Sequence, residues 1–418
     1  MRKVSASQTA QAYRALITGE ISRHFTPSAT RFQSALVDSA DAGLLHSSES
    51  PLYVNNPDLR WTSATEVLEK AVTLPSAWYF SQQVAALERK HIFGNTWQVV
   101  GRTDQLDQEG AYFTGCVAGV SYIVCRAPGG EVKAYHNVCR HHAAAVASGS
   151  GCTAQFRCPY HGWTYSLDGR LVKAIGLKGI QDFKARDYGL VPMRAATWGH
   201  FVFVQPCLPS SREKVESLEE HLGAAGPELR AAGMADEDLV HVASRSYHLN
   251  CNWKVFCDNF LDGGYHVSVA HPALAESLDI KSYSHRIHER VSVQSARTQP
   301  SSQDRLGGAT VNYAFVYPNM MINRYGSWMD TNLVVPLSAG QCRVDFDWWA
   351  HPSLAQDQRA VELGIESSDQ VQREDVQLCE AVQQGLQSSA YTSGRYAPCE
   401  APMFHFHRWL HARIVQAS

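Results

Sequence analysis

The feature that most constrains this 418-residue chain is a pair of short motifs that each combine a cysteine with a histidine. Cys139 and His141 are separated by one residue, Cys158 and His161 by two, and sixteen residues lie between the motifs. Thiolates and imidazoles are side chains with which proteins bind zinc and iron. We therefore expect two loops to meet around a metal centre, which requires a small, rigid domain to hold them.

The order of these ligands favours a two-iron, two-sulfur cluster over a zinc ion. A Rieske cluster needs two thiolates on one iron and two imidazoles on the other, so each loop supplies one ligand to each iron. Cys139 and Cys158 are thus expected on one iron, and His141 and His161 on the other. Structural zinc can bind the same residue types and is the alternative, although zinc motifs usually pair cysteine with cysteine.

The residues around these motifs predict a small all-β domain. Between residues 97 and 205, β-branched and aromatic runs are interrupted by glycine, aspartate and proline. The runs are at 97–100, 121–125 and 201–204. Predicted helices precede and follow this region, at 65–73, 81–93 and 213–232.

The second half of the chain mixes predicted strands and helices. Its predicted strands are at 314–317, 333–336 and 343–349, and its predicted helices at 253–270 and 369–386. This pattern indicates the α+β class. We therefore expect a second domain of different architecture from the first.

A second group of metal-binding side chains begins at His266 and His271. Dioxygen activation at ferrous iron uses two histidines and one carboxylate on one face of the metal. Five residues along an ideal helix would place the two rings about 140° apart, which is poor for shared ligation. Because Pro272 disfavours the helical conformation of His271, we expect the helix to end or distort there and the second ring to turn inward.

The carboxylate for this iron must come from elsewhere in the chain. The best candidate is Asp375 in the predicted C-terminal helix, and Glu374 and Glu380 compete with it. The charged residues of such a helix usually face solvent, so the residues alone do not decide which of the three acids binds the iron.

Four longer motifs resemble the Rieske-type non-haem iron oxygenase family. They are Asn-Val-Cys-Arg-His-His at 137–142, Cys-Pro-Tyr-His-Gly-Trp-Thr-Tyr at 158–165, Asp-Asn-Phe-Leu-Asp-Gly-Gly-Tyr-His at 258–266 and Tyr-Pro-Asn-Met-Met-Ile-Asn-Arg-Tyr-Gly at 317–326. The resemblance extends from about residue 78 to residue 410. Respiratory Rieske proteins carry an extra cysteine in each loop, whereas Ala144 and Tyr160 stand at the candidate positions here. The resemblance is therefore to the oxygenase branch.

The resemblance implies a two-domain fold with two iron centres. A Rieske [2Fe–2S] domain at 95–206 would join a helix-grip (START/Bet v 1-like) catalytic domain with an antiparallel sheet at 207–418. Helices at 51–94 would pack on the catalytic domain. His266, His271 and Asp375 would then hold a mononuclear Fe(II).

Within the family, the resemblance is to plant members that oxidise choline. It implies oxidation of the alcohol carbon with O2 and two electrons to a hydrate of betaine aldehyde, the first step of glycine betaine synthesis. Carnitine, glycine betaine or another substituted amine are the alternative substrates. A quaternary ammonium is bound through aromatic faces, for which Tyr317, Tyr325 and Trp328 are candidates, although core packing explains these residues equally well.

The family also implies a homotrimer in which the cluster of one subunit serves the iron of the next. Many members place a bridging acid three residues before the first iron-binding histidine, but that position here is Gly263. Asp262 is the candidate bridge and Asp258 the reserve; local hydrogen bonding is the alternative role for Asp262. The chain has no Gly-x-Gly-x-x-Gly fingerprint placed between a strand and a helix, so a separate partner is expected to supply the electrons. The resemblance implies that this donor is a reduced ferredoxin.

Composition bounds the partners and the compartment. A net charge of -3 gives no reason to expect nucleic acid or a membrane surface as a partner. Eleven cysteines in an odd, irregular set favour a reducing compartment. Residues 1–50 are expected to be a transit peptide and disordered leader, because their first part is basic and hydroxyl-rich; an ordinary disordered tail is the alternative. Composition does not separate plastid from mitochondrion, and the resemblance to plant members implies the chloroplast stroma, with mitochondrion or cytoplasm as alternatives. An electron carrier without oxygenase activity and a zinc-stabilised binding protein are the functional alternatives.

Overall fold

The structure, a computed structural model, describes residues 56–206, 216–299 and 310–416. The leader predicted at residues 1–50 lies outside these ranges. Among the helices within them, none combines the length and the apolar composition needed to cross a membrane.

The first domain is built from antiparallel strands. A seven-stranded sheet has the order β1-β10-β9-β4-β3-β2-β5, and a three-stranded sheet has the order β6-β7-β8. The strands are β1 (Gln98–Arg102), β2 (Ala111–Val117), β3 (Val120–Arg126), β4 (Val132–His136), β5 (Ser150–Cys152), β6 (Gln155–Arg157), β7 (Thr164–Ser166), β8 (Leu171–Lys173), β9 (Pro192–Trp198) and β10 (Phe201–Gln205). The three predicted runs at 97–100, 121–125 and 201–204 lie within or beside β1, β3 and β10, so these strand predictions are confirmed.

The second domain contains one antiparallel seven-stranded sheet with the order β11-β17-β16-β15-β14-β13-β12. Its strands are β11 (Val240–Leu249), β12 (Leu278–Ile287), β13 (Val291–Thr298), β14 (Thr310–Val316), β15 (Met320–Tyr325), β16 (Trp328–Ser338) and β17 (Gln341–Ala350). Within the described residues, the α-helices are α1 (Gln82–Glu88), α2 (Leu218–Leu222), α3 (Ala225–Ala231), α4 (Trp253–Leu261), α5 (Val267–Ala270), α6 (Pro272–Ser277), α7 (Pro352–Ala355), α8 (Gln358–Leu386) and α9 (Ala401–Gln416). A long helix held against an antiparallel sheet confirms the predicted α+β class.

Both faces of the second sheet are buried. One face, with Phe315 and Tyr325, belongs to a core shared with α4, α8 and α9. The opposite face, with Ile322 and Met329, packs against α2 and α3 and against Phe203 of the first domain. The cavity described below lies on the face of the sheet that α4, α8 and α9 cover.

Polar contacts also join the two domains. Arg102 at the end of β1 forms an ion pair with Asp347 on β17 at 3.0 Å. The ring of His200 stacks on Trp349 with 4.4 Å between ring centroids, and its Nε2 is 2.7 Å from the carbonyl oxygen of Asp236. Buried ring stacking and charged hydrogen bonds together hold the sheets at a fixed relative position.

The segment before the first domain packs on the second one. Glu88 at the end of α1 is buried, and its carboxylate accepts hydrogen bonds from Nζ of Lys254 (2.6 Å) and Nε1 of Trp253 (2.8 Å) at the start of α4. The helix predicted at 81–93 is confirmed as α1 followed by a π-helical turn at Arg89–Phe93. The boundary predicted between residues 206 and 207 adjoins residues outside the described ranges and stays a prediction.

The helix predicted at 65–73 is wrong. The structure has a short 3-10 turn at Ser63–Thr65, followed by turns. Val72 instead pairs with Arg395 in an isolated β-bridge, and its backbone N–H donates to Oγ of Ser63 at 3.0 Å. These tertiary hydrogen bonds replace the helical ones, so local composition was a poor guide here.

Three other predicted helices need correction. The segment 253–270 is not continuous, because Gly263 and Gly264 adopt positive φ angles of 73° and 75° between α4 and α5. In the described part of 213–232, Gly223 with φ 52° separates α2 from α3. Helix α8 begins eleven residues before the predicted start at 369, where Asp357 caps it by accepting from the N–H of Ala360 at 3.0 Å.

Candidate metal centres and substrate cavity

Two tight loops present the four cysteine and histidine residues of the first site. In one, the N–H of Cys139 donates to the carbonyl of Ala144 at 2.8 Å. In the other, the N–H of Cys158 donates to the carbonyl of Trp163 at 2.8 Å, and Gly162 takes a positive φ of 68°. The second loop connects β6 to β7, so short strands fix both of its ends.

The two thiols face the interior of the first domain. Cys139 and Cys158 are buried, at 3% and 2% exposure. The hydroxyl oxygen of Tyr165 accepts the N–H of Arg140 at 3.0 Å and lies 3.2 Å from Sγ of Cys139. Burial raises the pKa of Tyr165, so the hydroxyl keeps its proton and can donate it towards the sulfur.

The two imidazoles lie on the outer side of the same pair of loops. His141 stacks on Trp163 with 4.7 Å between centroids, and the ring of His161 is 4.6 Å from that of His141. Desolvation and the neighbouring His142 and His161 lower the pKa of His141, which favours the neutral ring that a metal requires. Its Nδ1 is buried without a hydrogen-bond partner, which fits a metal ligand.

The second site brings His266, His271 and Asp375 together, with one ligand atom from each lying within 4.8 Å of the others. Nε2 of His271 is 3.0 Å from Oδ1 of Asp375, and Nε2 of His266 is 3.7 Å from the same oxygen. Asn259 on α4 donates to that oxygen at 2.7 Å and orients the carboxylate. Two imidazoles and one carboxylate in this arrangement fit a ferrous ion.

The predicted break at Pro272 is confirmed. Helix α5 ends at Ala270, α6 begins at Pro272, and His271 between them has φ -125° and ψ 69°, outside the helical region. This conformation lets the His271 ring turn towards His266, with 5.0 Å between ring centroids.

Asp262 orients the first histidine. Its Oδ2 is 2.6 Å from Nδ1 of His266 and accepts the backbone N–H of the same residue at 2.9 Å. Its Oδ1 accepts the N–H groups of Gly264 (2.9 Å) and Tyr265 (3.1 Å). The carboxylate therefore fixes the loop and directs Nε2 of His266 towards Asp375. Asp258 contacts Tyr79 and His407 instead.

The structure also explains why no acid occupies position 263. A side chain on Gly263 would bring its Cβ within 2.2 Å of the carbonyl oxygen of Cys399, and the residue has a left-handed φ of 73°. Only glycine meets both conditions without strain. The acid near His266 is consequently one residue earlier, at Asp262.

Glu374 and Glu380, the competing acids on α8, have different positions. Oε2 of Glu374 is 2.6 Å from Nδ1 of His271, so it orients that ring from the side opposite Asp375. Glu380 accepts from the backbone N–H and the side-chain amide of Asn250, at 2.9 and 3.0 Å, away from the two histidines. Of the three acids, Asp375 faces the Nε2 atoms of both rings.

A cavity of about 120 Å³ opens beside the second site. Its wall combines the three metal-binding candidates with aromatic and polar side chains from the sheet and from α4 and α8. They include Phe256, Phe260, Tyr283, Gln294, Tyr313, Asn323, Tyr325, Asp330, Asn332, Phe346, Ser368 and Gln372. Neither lysine nor arginine lines it among the residues that the structure describes.

The three aromatic candidates for substrate binding occupy different places. Tyr325 lines the cavity. Tyr317 lies outside its wall, in the core against α9, with its hydroxyl 2.9 Å from Nδ1 of His405. Trp328 is also outside the wall and packs against Gly364 of α8.

The sequence reasoning did not identify Tyr283, Tyr313, Asn323 and Asp330 as cavity residues. Tyr283 and Tyr313 form a parallel stack with 6.4 Å between centroids. The available signal was the alternation of residues along β15 and β16, which places Asn323 with Tyr325 and Asp330 with Asn332 on one face of the sheet.

Comparison with known proteins agrees with this arrangement. Residues 96–184 match the Rieske [2Fe-2S] domain, and residues 236–416 match the catalytic domain of the ring hydroxylating alpha subunit. The chain is 48% identical over 83% of its length to choline monooxygenase of Arabidopsis thaliana, covering 84% of that protein. It is 30% identical over 80% of its length to the carnitine monooxygenase oxygenase subunit of Acinetobacter pittii, covering 88% of it.

A solved structure shares the whole architecture. A quaternary ammonium Rieske monooxygenase in complex with an inhibitor matches 88% of this chain and 98% of its own, with a TM-score of 0.72 and 28% identity. Members of this family contain a Rieske [2Fe–2S] cluster and a non-haem iron. The domains, the sequence identity and the fold together show that the chain belongs to the Rieske-type non-haem iron oxygenase family.

Proposed function

We propose that this protein oxidises choline at its alcohol carbon. Choline, O2, two electrons and two protons would give the hydrate of betaine aldehyde and one water, and the hydrate then loses a second water. The bound cluster would supply the electrons and the ferrous iron would bind O2. The chain's own residues hold the substrate, orient the ligands and limit access of water.

The observation that carries the choice of substrate is the charge of the cavity wall. The carboxylates of Asp262, Asp330 and Asp375 line it, and no lysine or arginine does among the described residues. When the two positive charges of a ferrous ion are included, one net negative charge is left for the substrate to balance. Choline is a cation without a carboxylate and meets this requirement. Carnitine and glycine betaine would bring a carboxylate that has no cationic partner there.

The similarity to other enzymes supports the same choice. The relative from Arabidopsis thaliana at 48% identity is a choline monooxygenase, whereas the carnitine monooxygenase subunit from Acinetobacter pittii is 30% identical. Aromatic rings from several elements surround the cavity, which suits a quaternary ammonium group. Carnitine, glycine betaine or another substituted amine is the second candidate.

The decisive experiment is product analysis. The purified protein, supplied with O2 and a reduced ferredoxin system, should convert choline to betaine aldehyde and leave carnitine and glycine betaine largely unchanged. Formation of trimethylamine or a demethylated product, with choline untouched, would contradict the proposal. The colour of the purified protein tests the alternative of a zinc-stabilised binding protein, because a Rieske cluster makes the protein reddish brown and zinc leaves it colourless.

The ligand assignment forms part of the proposal. Cys139 and Cys158 would hold one iron of the cluster, and His141 and His161 the other. The two buried thiols and the buried, unpartnered Nδ1 of His141 support this assignment. His266, His271 and Asp375 would hold the mononuclear iron, since their ligand atoms converge and each imidazole has a carboxylate at its Nδ1.

We further propose a head-to-tail homotrimer in which electrons cross between subunits. Exposed apolar side chains lie beside both sites: Tyr160 (65%) and Ile175 (52%) near the cluster loops, and Tyr265 (65%) and Val269 (85%) near His266. Burying these surfaces against each other would bring a cluster histidine close to Asp262 of the neighbouring subunit. A related quaternary ammonium monooxygenase is described in terms of inter-subunit electron transfer.

The plant relatives also support a proposal for the electron donor and the compartment. We propose a reduced ferredoxin as donor and the chloroplast stroma as location, because the plant relatives are named as chloroplastic. The transit peptide predicted at residues 1–50 is consistent with this location. Import of the full chain into isolated chloroplasts, followed by the size of the processed protein, tests it.

A further inference from the structure

A row of side chains crosses the second sheet at the floor of the cavity. Gln294 on β13 pairs with Tyr313 on β14. Tyr313 pairs with Asn323 on β15, and Asn323 pairs with Asp330 on β16. Residues that pair directly project to the same side of a sheet, and all four line the cavity. The row therefore presents one ring and three polar groups to a bound molecule.

Asp330 supplies the negative charge of this row. Its side chain is buried, at 3% exposure. Its carboxylate accepts hydrogen bonds from Nδ2 of Asn323 at 2.6 Å, from Nδ2 of Asn332 at 3.5 Å and from the hydroxyl of Tyr325. These three donors are neutral groups, so their hydrogen bonds orient the carboxylate without neutralising its charge.

Asn323 adds an acceptor with no partner. Its Nδ2 donates to Asp330 and to Oδ1 of Asn332 at 3.1 Å, and this fixes the orientation of the amide because a carboxylate can only accept. Oδ1 of Asn323 is buried without a hydrogen-bond partner. A buried, unpaired carbonyl oxygen in a cavity wall indicates a ligand that brings positive charge or a donor to it.

We propose that Asp330, Oδ1 of Asn323 and the ring of Tyr325 form the subsite for the quaternary ammonium group, an inference that rests on the proposed function. Such a group has no N–H, so it is held by charge, by carbonyl dipoles and by an aromatic face, all of which this subsite provides. His266, His271 and Asp375 border the same cavity. A cation held at Asp330 therefore leaves the alcohol end of choline to face the iron ligands.

The test compares choline with 3,3-dimethylbutan-1-ol, in which carbon replaces the quaternary nitrogen while the hydroxyl and the shape are kept. Dissociation constants are measured by calorimetry on the iron-loaded protein without O2. The wild-type protein should bind choline about 10- to 100-fold more tightly than the neutral alcohol. Asp330→Asn should reduce this preference to about threefold or less, with little change for the neutral alcohol.

Two further variants serve as controls. Asp369 is another buried carboxylate, at 5% exposure, but it binds Arg245 and Tyr247 outside the cavity. Asp369→Asn should lower thermal stability and leave the ratio of the two dissociation constants unchanged. Tyr325→Phe keeps both the ring and the charge of Asp330 and should retain the preference for choline.

The outcomes separate this inference from the proposed function. Equal binding of both alcohols by the wild-type protein would overturn the subsite even if Asp330→Asn failed to fold. A parallel loss of both ligands in Asp330→Asn would show that the carboxylate acts through the hydroxyl or the local fold instead. Selective choline binding without betaine aldehyde formation would preserve the subsite and reject the proposed reaction.

Discussion

The two metal sites of this protein are built in opposite ways. The four candidate cluster ligands lie between residues 139 and 161 on two loops, with the thiols buried and His161 exposed at the surface. The candidate iron ligands are spread from residue 266 to residue 375, and they border a cavity of about 120 Å³ between the sheet and its helices. A site with surface imidazoles suits the exchange of electrons with another protein, whereas a site beside a cavity suits a small substrate.

The partners of the histidines differ as well. At the first site, His141 stacks on the neutral ring of Trp163. At the second, Asp262 and Glu374 contact the Nδ1 atoms of the two imidazoles. A carboxylate behind an imidazole fixes its orientation and raises its basicity, which strengthens binding of a divalent metal. The comparison predicts that the two sites can be emptied independently.

The largest effect is expected from the thiolates. Cys139→Ser should abolish the visible absorption of the Rieske cluster together with activity, because serine does not replace a buried thiolate on iron. Iron content should fall from about three per chain to about one, since the mononuclear site is separate. Cys152→Ser, which changes an exposed cysteine on β5 of the same domain, is the matched control and should retain both. A normal cluster spectrum in Cys139→Ser would overturn the assignment.

The reverse experiment removes the mononuclear iron. Asp375→Ala should keep a cluster that can still be reduced, with about two irons per chain, and should form no product. His271→Ala should behave in the same way. Reduction is followed by the cluster absorption and product by mass spectrometry. Full iron content and full turnover in Asp375→Ala would instead point to Glu374 as the ligand.

The difference between the sites also determines how much the sequence could predict. The candidate cluster ligands could be proposed from the sequence because two tight loops keep them close in the chain, and the break at His271 was predicted because Pro272 acts on its immediate neighbour. The third ligand depends on how α8 packs across α4, a tertiary arrangement that spacing does not encode. The residues alone therefore left Asp375, Glu374 and Glu380 open, the resemblance favoured Asp375, and the structure brings Asp375 close to both histidines.

The substrate residues were harder still, for a physical reason. Alternation along β15 and β16 shows which residues share a face, but both faces of the second sheet are buried, so it does not show which face lines the cavity. Tyr317 and Trp328 were chosen for their aromatic character in the correct segment, yet they pack in the core outside the cavity. Asn323 and Asp330 were missed because their role depends on strand register.

A smaller effect should come from Asp262, the acid that contacts Nδ1 of His266. Asp262→Asn preserves shape but exchanges one carboxylate oxygen for an amide NH2 group, which cannot accept a hydrogen bond from His266 or from the loop N–H groups. Cluster reoxidation in a single turnover with choline and O2 should slow by about 10- to 100-fold while both metals and the oligomeric state of the wild-type protein are retained. Asp258→Asn is the control, because Asp258 contacts Tyr79 and His407 instead. Near-normal reoxidation coupled to product in Asp262→Asn would remove the bridging role.

The smallest effect is expected from Glu374, whose carboxylate contacts Nδ1 of His271; the candidate cluster histidine His141 instead stacks on Trp163. Oε2 of Glu374 lies 2.6 Å from Nδ1 of His271, and the amide of Gln can keep one hydrogen bond there without the charge. Glu374→Gln should therefore weaken iron binding by about tenfold, near the lower end expected for such partners, while turnover recovers once iron is saturating. Glu380→Gln on the same helix should bind iron normally, since Glu380 contacts Asn250. The readout is a titration with ferrous iron that follows activity. Loss of turnover in Glu374→Gln that excess iron does not restore would show that Glu374 is itself a ligand, and the distinction between Asp375 and Glu374 would have to be reversed.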